Sequence, residues 1–230
     1  MALSTYAEIK TAVADWHWNG GGVTATLVGT DFFPQMQAMM YRGHGTEDQE
    51  RKTGLAYVPP LRISSMVDSD AAVTPASGGV ITISSQIDAG WLEFIELVPA
   101  TNGAVALDYV PPWQFRKEAD AIMSTTGPQS IYTIEGDKVY LAPAAVTTIS
   151  AKWYQKFTAL SADSDTDWIV TNAPQVYLDG CLMLACAYTQ DDRESQFRQK
   201  FAAGIKGLNL NDQRARSSGS VKVARPRSVA

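Results

Sequence analysis

The 230-residue chain has two cysteines, two histidines and no apolar run near the roughly 20 residues that span a bilayer. Cys181 and Cys186 fall in one helical stretch, where a separation of five residues rises about 7.5 Å and turns the two side chains to different sides. They are expected as free core thiols, neither a disulfide nor a metal pair. His17 and His44 have no second ligand at zinc spacing, and no Gly-x-Ser-x-Gly nucleophile elbow exists for either to serve. His17 is expected as a half-buried helix-end residue and His44 as a loop residue. The first residues, Met1 to Glu8, carry neither the basic nor the long apolar region of a secretory signal, so synthesis and retention in a cytoplasm are expected. With 45% hydrophobic and 19% charged residues, no internal repeat and no low-complexity tract, the composition is that of a soluble, folded protein.

Basic residues are scarce in the body of the chain. All 24 acids lie before position 213, against 14 of the 19 lysines and arginines, which leaves residues 1–213 at −10 within a net charge of −5. Such a field repels phosphate and makes the body a poor nucleic-acid binder, so that only the basic end is left to bind DNA or an acidic protein surface. The remainder is purely basic: Arg214, Arg216, Lys222, Arg225 and Arg227. Residues 217–230 have a Ser/Gly hinge and no helical period, the pattern of a flexible basic tail. Within it, Val221-Lys222-Val223-Ala224-Arg225 alternates apolar and basic residues as an extended segment that can add to a partner's sheet or lie in an acidic groove.

The periodicities predict helices at both ends and strands between. Thr5 and Glu8 form a capping-box pair ahead of Ile9, Val13 and Trp16, predicting a helix over residues 5–18. Gly20-Gly21-Gly22 then reads as a helix stop or hinge, not a phosphate cradle, because no Gly-Lys-Ser/Thr follows. Phe32, Phe33, Met36, Met39 and Met40 predict a second helix over 31–41, with Pro34 in its first turn. From about residue 54 the pattern becomes that of strands: 80–83, 91–98, a hairpin over 130–141 turning at Glu135-Gly136-Asp137-Lys138, and 147–157, with a short helix over 111–122. Asn172-Ala173-Pro174 then opens a helix with a cap and an early proline, and Phe197, Phe201, Ile205 and Leu208 mark the last one. The fold class is α+β: a helical bundle from 1–53 and 158–216, an inserted antiparallel β-rich, sandwich-like domain over 54–157, and the tail 217–230.

Catalytic and metal signatures are missing. Asp163, Asp165 and Asp167 imitate the start of a calcium loop, but Trp168 stands where the loop needs glycine and Pro174 where it needs glutamate, so a solvated acidic loop is expected. Glu93 with Glu96, or Asp191 with Asp192, are explained by exposed strand faces and helix caps more simply than by glycosidase chemistry. Six tryptophans and nine tyrosines leave open a carbohydrate-binding module or glycosidase as the reading from a different class. Tryptophans exposed in one row would favour it; tryptophans dispersed in core and contacts would not. No catalytic residue, cofactor or metal is expected.

Several segments together carry a resemblance. Met1 to Lys10 with Ala14-Asp15-Trp16, Tyr132 to Pro143 with the turn Glu135-Gly136-Asp137-Lys138, Asp167 to Gly180, and the close from Asp191-Asp192 through Phe201-Ala202-Ala203 to Asn211-Asp212-Gln213-Arg214-Ala215-Arg216 resemble the head-to-tail adaptor (connector) proteins of tailed bacteriophages. The resemblance covers the N-terminal helix and nearly everything after residue 128. It implies a non-enzymatic virion protein of the neck: a homo-oligomeric ring, dodecameric in that family, docked beneath the portal protein. Such a ring extends the DNA channel, with packaged DNA passing through it without specific binding, and offers a platform to tail or nozzle proteins. It implies no membrane partner. A tail-completion or tail-tube ring is the alternative within the same structural class. Charge and hinge placement put portal docking on Arg214, Arg216, Val221, Lys222, Val223, Arg225 and Arg227.

Overall fold

The structure is a computed structural model and describes residues 3–17, 22–100, 105–121, 130–144 and 148–217. By its internal contacts the chain divides into two units, 1–65 with 158–230, and 66–157. The first is helical among its described residues, the second strand-rich, and the chain is α+β with antiparallel pairing dominant in both sheets.

Helix α1 (Tyr6–Trp16) begins at the capping box expected for it: Glu8 N–H donates to Thr5 Oγ1, and the Glu8 carboxylate accepts from the Thr5 and Ser4 N–H groups. Its next free donors are taken by a distant loop, with Tyr6 N–H and Ala7 N–H bonded to the Asp165 and Asp163 carbonyls, both at 3.1 Å. Helix α2 (Ala25–Leu27) runs through a π-helical stretch, Val28–Phe32, into α3 (Phe33–Arg42), where Pro34 sits in the first turn as expected. Helix α4 (Glu47–Thr53) is polar throughout and buries nothing.

The helical unit closes around α7 (Pro174–Thr189), whose residues from Val176 to Cys186 are almost all buried. A helix apolar on every side must be covered on every side; α7 meets α1, α3, the short α6 (Trp168–Asn172) and α8 (Glu194–Ser217). Tyr6, Phe33 and Tyr177 interlock edge-to-face, with centroids 4.8 and 4.9 Å apart. Gln190 takes the left-handed conformation (φ 55°) that ends α7, and Asp191-Asp192 turns the chain into α8. The expected Asn172 cap of α7 is corrected: Asn172 ends α6 and gives its side-chain N–H to the Trp168 carbonyl, while Ala173 occupies the cap position without a side-chain bond.

The acidic loop before α6 is also more than a solvated loop. Asp165 accepts from the Ser161 and Ala162 N–H groups, and Asp163 pairs with Lys10 at 2.7 Å. Asp167 caps α6 through the Val170 N–H and accepts from the Tyr177 hydroxyl at 2.5 Å. Burial pushes the Asp167 carboxyl above its ordinary value, its hydrogen bonds opposing.

The strand-rich unit holds two sheets, β1-β7-β3 (Val67–Val73, Ile149–Gln155, Trp91–Pro99) and β2-β6-β5-β4 (Val80–Thr82, Lys138–Ala142, Ile131–Glu135, Asp108–Tyr109). All neighbours are antiparallel except β4 with β5. The hairpin is the one expected, with Glu135 opposite Lys138 across Gly136-Asp137 and Gly136 at φ 62°, the backbone such a turn demands. Leu97, Ala151 and Trp153 of one sheet share a core with Ile81, Val139 and Leu141 of the other, so the two sheets pack as a sandwich. Helix α5 (Pro112–Ala121) covers a satellite cluster of Val110, Ile131 and Ala142 with Phe115 and Ala119.

Candidate functional site: the end of the C-terminal helix

Phe201, Ala202 and Ile205 bury the first half of α8. Beyond Ile205 the contacts change from apolar to polar, and the helix is tied to segment 60–65, which enters a 3-10 turn at Ser64. The Asn209 amide donates to the Pro60 carbonyl and accepts from the Arg62 N–H, both at 2.9 Å. One turn on, an Asp212 carboxylate oxygen accepts from the Ser64 N–H at 2.8 Å and from the Ser64 hydroxyl. Its other oxygen takes the Arg216 guanidinium, with Nε at 2.7 Å. Burial raises the Asp212 carboxyl, and the Ser64 and Arg216 hydrogen bonds outweigh it, holding the group below the ordinary carboxylate value. These ties fasten the last turns to segment 60–65, and concavities lie beside them, one between Arg62, Gln213 and Arg216, the other between Ile63, Trp168 and Leu208.

Of the residues expected to dock, Arg214 and Arg216 lie exposed on this last part of α8, where a positive side chain also complements the helix dipole. Val221, Lys222, Val223, Arg225 and Arg227 lie outside the described residues, as do Gly20 and Gly21 of the expected stop.

The remaining candidates for chemistry resolve one by one. Glu93 and Glu96 are exposed on β3, with Glu96 in register with Lys152 of β7. His44 lies exposed beside Gly43, its backbone paired with Val58. Five tryptophans fall on five elements, α1, β3, α5, β7 and α6; Trp153 is in the core and only Trp16 and Trp113 are exposed, so among the described residues they form no row. Both thiols are buried and unbridged, as expected. Burial pushes Cys181 far up and, with the Asp191 charge, Cys186 to about 11, so neither is a nucleophile at neutral pH.

His17 departs from expectation: it is 4% exposed, not half-buried, and shares a hydrogen bond of 2.9 Å with the Thr189 hydroxyl. A ring nitrogen of His17, the Cys186 sulfur and an Asp191 carboxylate oxygen lie within 4.8 Å of one another. Spacing along the sequence could not have found this group, because α1 and the α7–α8 corner meet only in the folded unit. Among the described residues no helix is long and apolar enough to cross a membrane.

The SU10 adaptor protein family matches residues 4–225, nearly the whole chain and the strand-rich unit with it. The chain belongs to this family. It is a structural adaptor protein of a bacteriophage, and the family match extends through residues 19–127, beyond the segments that carried the resemblance. No curated protein matches the sequence.

Proposed function

We propose that this adaptor assembles as a homo-oligomeric ring, dodecameric as in related connectors, that docks beneath the portal at the neck of the virion. The ring extends the DNA channel and presents the strand-rich unit to tail or nozzle proteins. Its work is mechanical and no catalytic step belongs to it. Family membership over residues 4–225 is the observation that carries this reading. The charge distribution agrees with it: a body at −10 repels the phosphates of passing DNA, so the duplex slides without specific binding. The basic C-terminal end then supplies the attachment. Helix α8 is tied down through Asn209 and Asp212 and carries Arg214 and Arg216 at its end, ahead of the remaining basic residues Lys222, Arg225 and Arg227. The subunit is made in the host cytoplasm and ends in the virion.

Deletion of residues 217–230 tests the assignment. The truncated protein should keep its circular dichroism and melting temperature and lose binding to portal rings from the same phage. A truncated protein that still binds the portal would remove docking from the tail; one that binds tail-tube subunits instead would make this a tail-completion ring.

A further inference from the structure

We propose that His17, Cys186 and Asp191 form a zinc site that clasps the end of α1 to the α7–α8 corner. All three belong to the helical unit, and their ligand atoms lie within 4.8 Å of one another, close enough for one ion to bridge them with small side-chain adjustments. His17 and Cys186 are buried and Asp191 is partly so. One thiolate, one imidazole and one carboxylate make a mixed set that zinc accepts in tetrahedral geometry, with a solvent molecule in the fourth position.

The second observation is the state of the imidazole. Nδ1 of His17 is buried and has no hydrogen-bond partner. The other nitrogen, Nε2, faces the Thr189 hydroxyl, whose single proton goes to the Ala185 carbonyl at 3.0 Å. With the Thr189 proton on that carbonyl, the hydroxyl accepts from Nε2–H, the tautomer that leaves the lone pair of a neutral ring on Nδ1. A buried lone pair without a donor is rare in folded proteins and asks for an occupant. Thr189 thus does for His17 what outer-shell acceptors do in metal sites, fixing the tautomer and the ring orientation. Arg193 orients the carboxylate, with Nη2 2.7 Å from one Asp191 oxygen, the backbone N–H 2.9 Å from the other and Nε 3.0 and 3.1 Å from the two. On binding, zinc displaces the Cys186 thiol proton, which passes to solvent.

The test uses the full chain, reduced and stripped of metal by a chelator, and titrated with Co2+ without oxygen. The expected result is one equivalent bound, with the thiolate-to-cobalt charge-transfer band and the visible bands of tetrahedral cobalt. Cys181→Ser should keep both, and Cys186→Ser should lose the charge-transfer band. Wild-type protein without that band, or Cys186→Ser with it, overturns the site. Because Cys186→Ser could simply fail to fold, X-ray absorption of the zinc-loaded wild type gives an independent reading. One sulfur at about 2.3 Å, with the other ligands nitrogen or oxygen, is expected; a shell without sulfur overturns the proposal.

Discussion

Gly180 lies on α7 against Met36 of α3 and Phe201 of α8. A Cβ built on it would stand 2.5 Å from Met36 Cγ and 3.0 Å from both Cδ2 and Cε2 of Phe201. Non-bonded carbons do not approach to 2.5 Å, and Met36 and Phe201 are themselves fully buried, so the methyl group must displace packed side chains that have no free space to move into. Overpacking of this kind costs about 1–3 kcal/mol, against which the better helix propensity of alanine returns up to about 1 kcal/mol. Because a 2.5 Å approach belongs to the upper part of that range, about 2–3 kcal/mol, Gly180→Ala should destabilise the helical unit by about 1–2 kcal/mol. Gly207 on α8 is the internal control, because nothing lies within 4 Å of its added Cβ. Gly207→Ala should stabilise by about 0.5–1 kcal/mol through the propensity term alone. Urea unfolding followed by far-ultraviolet circular dichroism measures both, and the two midpoints should move in opposite directions. If Gly180→Ala is neutral or stabilising, α7 is not packed against Met36 and Phe201 as described, and the bundle's central contact is wrong.

Further outcomes follow from the same structure. Thr5→Ala removes half of the capping box on α1 and should cost about 1 kcal/mol in the same unfolding assay, while Thr5→Ser should cost much less. Asp167→Ala leaves the α6 cap empty and the buried Tyr177 hydroxyl without its acceptor, and should cost about 2–3 kcal/mol. Asp167→Asn, which can still accept, should cost less than the alanine variant; since burial raises this carboxyl, the penalty that Asn relieves builds as pH rises from the unfolded-state value and is complete above the folded-state value. Asp212 has the opposite sign: its carboxyl is lowered, so its stabilisation is present above the unfolded-state value, about 3.9, and is lost as pH falls through the lower folded-state value. Asp212→Asn should thus cost about 1 kcal/mol at pH 7 and nothing once both forms are protonated, read as loss of hydrogen-exchange protection near the end of α8.

Elements with a strong period were legible from residue order. The hairpin over 131–142 alternates cleanly around Gly136, and α8 repeats apolar residues at 197, 201, 205 and 208, so local pattern and final packing agree. Helix α4 went unread because Glu47–Thr53 has no apolar residue to mark a period, though Thr46 with Gln49 three residues on was a usable cap signal. Strand β1, with the sequence Val-Asp-Ser-Asp-Ala-Ala-Val, is mostly exposed and exists because β7 offers it a register. The π-helical stretch before α3 likewise has no signature in residue order. At the candidate site the charge of Arg214 and Arg216 was legible, whereas the anchors beneath them, Asn209 to Pro60 and Asp212 to Ser64, join residues far apart in sequence. The grouping of His17, Cys186 and Asp191 was hidden for the same reason.

The central claim is ring assembly on a portal, and mass photometry of the purified full chain, alone and mixed with portal rings from the same phage, tests it most directly. The mixture should gain a discrete species whose added mass equals one ring of subunits, and the chain lacking residues 217–230 should not produce it. No association of the full chain with the portal at any salt concentration would contradict the account.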